Sequence, residues 1–343
     1  MFRKLVVVAF IALLICLVFS ALYMRKVLAR QDRRSDAGFL GKVVDLPLPG
    51  AAVRFDYQSL DPTQGRLYIA HMNADQLVVF DLRNNRVVAN LDGFPRVHGV
   101  LAVAELDRVY ASATGEHKVA VVDRTTLRTI ARVGPVNYPD GLAYVPGVAR
   151  IFVSDEHGQV DAVIDTRTNM LIKAIPLGGG AGNTVYDPGS GNVLVGVHDR
   201  NELVTIDPTR MEVTHRLKLP GGENPHGIAI DGINHLAFVA CEGNAKLFVV
   251  DLRNMSVLSD YPVGRDPDVL AFDPGLGVLY VSAESGEVTI FRENEKKLEL
   301  VQHFSEPHAH TVAVDPDTHL VYFPLENIGG HPVLRIMKPT QGI

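Results

Sequence analysis

The feature that most constrains this chain is a repeat. Seven short apolar stretches, "RLYIAH", "RVYASA", "RIFVSD", "NVLVGV", "LAFVAC", "VLYVSA" and "LVYFPL", lie under one another with Tyr68, Tyr110, Phe152, Leu194, Phe238, Tyr280 and Tyr322 aligned. Successive separations are 42, 42, 42, 44, 42 and 42 residues. A period of roughly 40–45 residues built from short strands is that of a four-stranded propeller blade, and is too long for leucine-rich or ankyrin units. Seven copies therefore predict an all-β, seven-bladed β-propeller forming one domain over residues 37–343.

Within a copy the order reads as strand A ("HGVLAV"), a turn, strand B ("RVYASA"), a polar loop, strand C ("KVAVVD"), a turn and strand D ("RTIARV"). The A–B turn is often an Asp-Pro hairpin, as in "DPTQG" at 61, "DPGSG" at 187, "DPGLG" at 273 and "DPDT" at 315. Proline presets φ there, Asp bonds the turn backbone and Gly takes the positive φ. The seventh copy stops after "VLRIMK" without a strand D, while "KVVDLPL" at 42–48 precedes the first strand A. That N-terminal strand is expected to complete blade seven and so remove two exposed sheet edges.

Aligning the repeats shows where chemistry gathers. The first position of strand A is Asp56, His98, Asp140, Gly182, His226, Asp268 and His310 in the seven copies. Strand A is the innermost strand of a blade, so these side chains should converge at one mouth of the central channel. Two residues earlier stand Arg54, Arg96, Tyr138, Gly180, Asn224, Asp266 and His308, a second polar ring if the chain is already extended. Two residues later the set is mostly apolar: Gln58, Val100, Leu142, Thr184, Ile228, Leu270 and Val312. The ends of strand B add Glu156, His198, Glu242, Glu284 and Glu326, with His71 and Cys241 one residue earlier. Each of those glutamates taken alone is ordinary loop charge. His319 follows an A–B turn and belongs to the opposite face.

Imidazoles and carboxylates converging from different strands suit a divalent cation, with zinc, manganese, iron or copper fitting mixed His/Asp donors better than calcium. The expected metal ligands are His98, His226 and His310, with His308 above them. Arg54 and Arg96 would hold the carboxylate or phosphate of a small anionic ligand by charge-assisted bonds, with Tyr138, Asn224 and Asp56 completing the wall. The "GGGAG" of blade four, 178–182, would leave that ligand room. In a catalytic site the metal would polarise a carbonyl or activate water, and Asp140 or Asp268 would serve as base. The bland alternative is a hydrated propeller channel with polar strand entries.

The N-terminus differs in kind. Leu5 to Tyr23 is an uncharged apolar run of 19 residues between Arg3, Lys4 and a basic flank, long enough to cross a bilayer as a helix. It reads as an uncleaved anchor or a signal peptide. Residues 1–36 carry seven Lys/Arg against Asp32 and Asp36, which is +5, so of the overall −6 the remainder holds −11. So acidic a body disfavours nucleic acid as a partner. Two cysteines, Cys16 and Cys241, make no disulfide framework. The chain contains no P-loop, dinucleotide-binding glycine fingerprint, CxxCH haem site or Gly-x-Ser-x-Gly elbow.

The repeats, of the form "PHGIAIDGINHLAFVACEGNAKLFVVDL" (225–252), resemble the YVTN-type repeats of YncE-like seven-bladed propellers, and do so in all seven copies. The absence of Trp separates them from the WD40 class. The resemblance implies export to the periplasm or another extracytoplasmic space, with the N-terminal helix tethering the body to the inner membrane. It also implies kinship with lactonases and lyases on one side, and on the other with noncatalytic binding, scaffold or cofactor-assembly proteins of the cell envelope that dock a protein partner. Fold alone does not choose between these.

Overall fold

The computed structural model describes residues 38–340. The proposed anchor or signal segment lies outside the described residues. Among the described residues, no helix is long and apolar enough to cross a membrane. Residues 42–338 form one compact unit, and of the remaining described residues 38–41 with 339 and 340 are grouped apart from it. In the second group Thr340 N–H donates to Phe39 O at 2.7 Å and Thr340 Oγ1 to Gly38 O at 2.8 Å.

Seven four-stranded antiparallel sheets follow one another. Their innermost strands are Gln58–Asp61, Val97–Val103, Pro139–Val145, Ala181–Asp187, Pro225–Asp231, Pro267–Asp273 and Ala313–Val314. Each sheet runs outward in chain order, except that in the seventh the order is Ala313–Val314, Val321–Ile328, His331–Pro339 and then Leu40–Pro47. Arg335 fixes that outermost strand: Nε and Nη2 donate to the two oxygens of Asp45 at 2.8 and 2.7 Å, and Nη1 donates to Glu306 at 2.6 Å.

The repeated aromatic and aliphatic positions are the core. Tyr68, Tyr110, Phe152, Leu194, Phe238, Tyr280 and Tyr322 are at most 1% exposed, each worth roughly 2 kcal/mol in area removed from water. The apolar clusters lie between neighbouring blades rather than within one. Tyr68 packs with Val97 and Val109 of blade two, and Tyr322 and Leu334 of blade seven pack with Phe55 and Leu67 of blade one. A single blade has no core of its own, so the blades stabilise one another.

The face opposite the site is tied by a recurring arginine. Arg66 donates to the carbonyl of Arg124 at 2.7 Å, Arg108 to Thr166 O, and Arg150 to Pro208 O at 2.5 Å, each reaching a turn of the next blade. The strand C aspartates cap their turns as the sequence suggests: Asp81 Oδ1 accepts the N–H of Arg83 and Asn84 at 2.9 and 3.0 Å. His319 belongs to this face too, with Nδ1 2.7 Å from Asp273 Oδ2 of blade six.

Candidate functional site

The channel mouth is shaped by one irregularity, repeated. In blades two to six the pairing between the two inner strands slips just after its first residue. The slips fall between Val97 and Val100, Pro139 and Leu142, Ala181 and Thr184, Pro225 and Ile228, and Pro267 and Leu270. A bulge of this kind re-aims a side chain relative to the sheet, and the residue at the slip is the ring residue: His98, Asp140, Gly182, His226 or Asp268. Glycine follows it in blades two, three and five because the next blade presses there. A Cβ on Gly99 would strike the Asp140 carbonyl oxygen, and one on Gly227 the Asp268 carbonyl oxygen. Blades one and seven lack this slip and begin their inner strands later, so Asp56 and His310 sit just before them.

The ring converges and is buried: Asp56, His98, Asp140, His226, Asp268 and His310 are between 2 and 9% exposed. They surround a cavity of about 140 Å³ whose wall contains six carboxylates, from Asp56, Asp140, Glu156, Glu242, Asp268 and Glu284, against one guanidinium, Arg54. His310 stands at its edge, within reach of Asp56 and Asp268.

Two groups of possible metal ligands occur among the described residues, and both lie here. In the first, donor atoms of His198, His226 and Glu242 fall within 4.8 Å of one another. His198 Nε2 is 3.2 Å from His226 Nδ1, and Glu242 Oε1 is 3.7 Å from the same nitrogen. Ligand atoms about 2.0–2.1 Å from a tetrahedral zinc stand about 3.3 Å apart, so this set needs little adjustment to close on an ion. In the second, the donors of Asp56, Asp268 and His310 are likewise within 4.8 Å, and all three residues are buried.

The protonation states follow from this crowding. Burial works against a charge on His226, but the carboxylates of Glu242, Asp268 and Asp140 outweigh it and hold its pKa well above the ordinary imidazole value. Burial drives His310 the other way, to about 4, with Asp268 opposing only in part. Asp56 is pushed well up by burial and then by the charges of Asp268 and Asp140. Burial likewise raises Asp140, only partly offset by His98 and His226, whereas for Asp268 the burial penalty is overcome by His226, which holds it low. Carboxyls held apart in pKa within one cavity are suited to acid and base roles.

His98 has a fixed tautomer. Its Nδ1 donates to the Arg96 carbonyl at 2.7 Å, so Nε2 accepts from Tyr138 Oη at 3.2 Å. Tyr57 Oη stands 3.3 Å from His226 Nε2.

The second polar ring does not form as a layer. Arg96, Asn224, Asp266 and His308 have φ between 47° and 70°, the left-handed region, so the chain is not extended there and the period-two stacking fails. These four are exposed and do not line the cavity. His308 pairs instead with Glu326 at 3.3 Å. Arg54 and Tyr138, whose backbones are not left-handed, do reach the cavity. Arg54 is held there by Glu284 at 2.5 Å, with Asp268 at 3.7 Å. Accordingly Arg54 and Arg96 do not form a paired clamp, and the expected metal set is divided: His226 belongs to one donor group, His310 to the other, and His98 to neither.

Blade four corrects another expectation. The space left by Gly182 is taken by His198, from the turn that follows the adjacent strand, whose Nε2 would lie 2.9 Å from a Cβ at position 182. His198, Glu242, Glu156 and Glu284, expected as the last residues of strand B, fall just beyond it in the following turns; the sequence assigned none of them an individual role, and Tyr57 had no periodic signal at all.

No family model matches the chain, and no curated protein matches it. Among solved structures it is similar to a chain of hydrazine synthase from Kuenenia stuttgartiensis, at 16% identity and a TM-score of 0.73, over 88% of this chain and 98% of that one. At that identity the likeness carries the propeller fold alone.

Proposed function

We propose that this chain is an extracytoplasmic, YncE-like propeller that binds a divalent cation at the channel mouth through His198, His226 and Glu242. Beside the cation it takes a small anionic, oxygen-bearing molecule, acting as a metal-dependent hydrolase of the lactonase kind or as a lyase. The observation that carries the reading is the His198–His226 contact of 3.2 Å with Glu242 3.7 Å away, inside a cavity of six carboxylates. Placement outside the cytoplasm rests on the apolar run Leu5–Tyr23 and on the repeat resemblance.

The cation would act as a Lewis acid on a carbonyl or as an activator of water. Asp140 is the fitting base: it is buried, its Oδ1 has no hydrogen-bond partner, and its raised pKa lies nearer the working range of a general base. Asp268 is less suited, since His226 holds it ionised. Arg54 is the one guanidinium in the wall and would meet the ligand's carboxylate after exchanging Glu284 for it.

The test is metal analysis and zinc titration of the full-length protein in mild detergent, beside His198→Ala and Glu242→Gln. Tight zinc binding that weakens at least a hundredfold in both variants is expected. An absence of bound metal after reconstitution would remove the proposal. Asp140→Asn should keep zinc and lose turnover of lactones, and equal turnover would remove the base assignment.

A further inference from the structure

We propose that the channel mouth is a two-cation centre, with a second divalent ion held by Asp56, Asp268 and His310 beside the one assigned to His198, His226 and Glu242. The inference rests on the first site being a metal site and adds a distinct set of ligands to it.

Three observations converge on this second set. Its donors come from blades one, six and seven and lie within 4.8 Å of one another, with Asp56, Asp268 and His310 only 2, 4 and 3% exposed. His310 Nε2 is buried without a hydrogen-bond partner, while the Phe55 backbone engages the ring. A neutral imidazole held by a backbone acceptor on one nitrogen presents a free lone pair on the other, which is how histidine is prepared for a metal. An unpartnered polar atom at that depth is costly unless something binds it.

Charge decides between one ion and two. With ions bound the ligands shed their protons, and in that state six carboxylates and one guanidinium in the wall amount to −5 with neutral imidazoles. One divalent ion leaves −3 and two leave −1, the value closest to balance in a confined, weakly screened space. The two sets adjoin, since Asp268 Oδ1 is 3.4 Å from His226 Nε2. Their chemistry differs: two imidazoles and a carboxylate favour zinc or copper, whereas two carboxylates and an imidazole accept manganese or iron readily. Paired ions of this type can stabilise both the attacking and the leaving oxygen of a hydrolysis.

The test uses metal-free full-length protein titrated with Mn2+ and followed by the electron paramagnetic resonance signal of the free ion. Two Mn2+ per chain are expected. Asp56→Asn and His310→Gln should each abolish one, weakening it at least a hundredfold while the other remains, and His198→Ala should abolish the other. The retained ion reports that each variant is folded. One Mn2+ in the wild type, lost in His198→Ala but untouched by Asp56→Asn and His310→Gln, would overturn the second site and leave the first standing. No Mn2+ and no Zn2+ in the wild type would overturn both.

Discussion

His198 Nε2 lies 3.2 Å from His226 Nδ1 across the boundary between blades four and five, and the approach depends on there being no side chain at Gly182. A Cβ there would stand 2.6 Å from the Pro225 carbonyl oxygen and 2.9 Å from both His198 Nε2 and His226 Cα. Gly182→Ala therefore displaces a ligand without being one. Zinc affinity, measured by competition with a chromophoric chelator, should fall roughly 10–100-fold, the usual range for a disturbed supporting position. An unchanged affinity would mean that His198 is not a ligand.

Gly227→Ala tests the bulge. Its Cβ would meet a backbone oxygen, that of Asp268, which cannot swing aside as a side-chain end can. A loss of about 2–3 kcal/mol is expected, as for an overpacked interior. The urea midpoint should fall, and the same substitution at Gly232, where a Cβ meets nothing within 4 Å, should leave it in place.

Asp161 makes stability depend on pH. It is fully buried on the third strand of blade three, where Oδ1 accepts the Val153 N–H at 3.2 Å. Burial pushes its pKa from 3.8 to about 7. Between those values the folded chain keeps a proton that the unfolded chain has released, so this contribution is full below the lower value and lost as pH rises to the upper one. Three units correspond to about 4 kcal/mol as an upper figure. Asp161→Asn should be the more stable protein at pH 8, with the gap closing toward pH 4. A gap that widens on acidification in denaturant titrations would contradict this.

Arg335 pins the strand Leu40–Pro47 through Asp45, whose carboxyl it holds below the ordinary range. Arg335→Gln loses three charge-assisted bonds, for an expected cost of about 2 kcal/mol. Hydrogen exchange should accelerate at residues 42–47 while the amides of blade four keep their protection. Uniform acceleration would instead indicate global loosening.

The fold was legible because the blade core repeats at a fixed interval: Tyr68 and its six counterparts mark the second strand of every sheet. The inner ring was legible for the same reason, since His98, Asp140, His226 and Asp268 occupy one register. Arg96, Asn224, Asp266 and His308 misled because a left-handed backbone at a residue other than glycine leaves only a weak mark in residue type, the preference of Asn, Asp and His for that region, and none at Arg96. His198 and Glu242 begin the short 3-10 turns His198–Arg200 and Glu242–Asn244, so their direction depends on loop conformation rather than on strand alternation. Period and alternation locate residues on strands, and they do not reach into such turns.

The bulge has a consequence for how such a mouth can be rewritten. At Gly99 and Gly227 the contact with the next blade falls on the glycine and on backbone carbonyls, while the side chain facing the cavity belongs to the residue before it. Chemistry and scaffold are thus carried by adjacent letters of the chain. Exchanging His98 or His226 for another polar residue changes what the mouth can hold and leaves the glycine contact between the blades in place. At blades two and five the ring position is thus a socket whose occupant can change without unseating the blade.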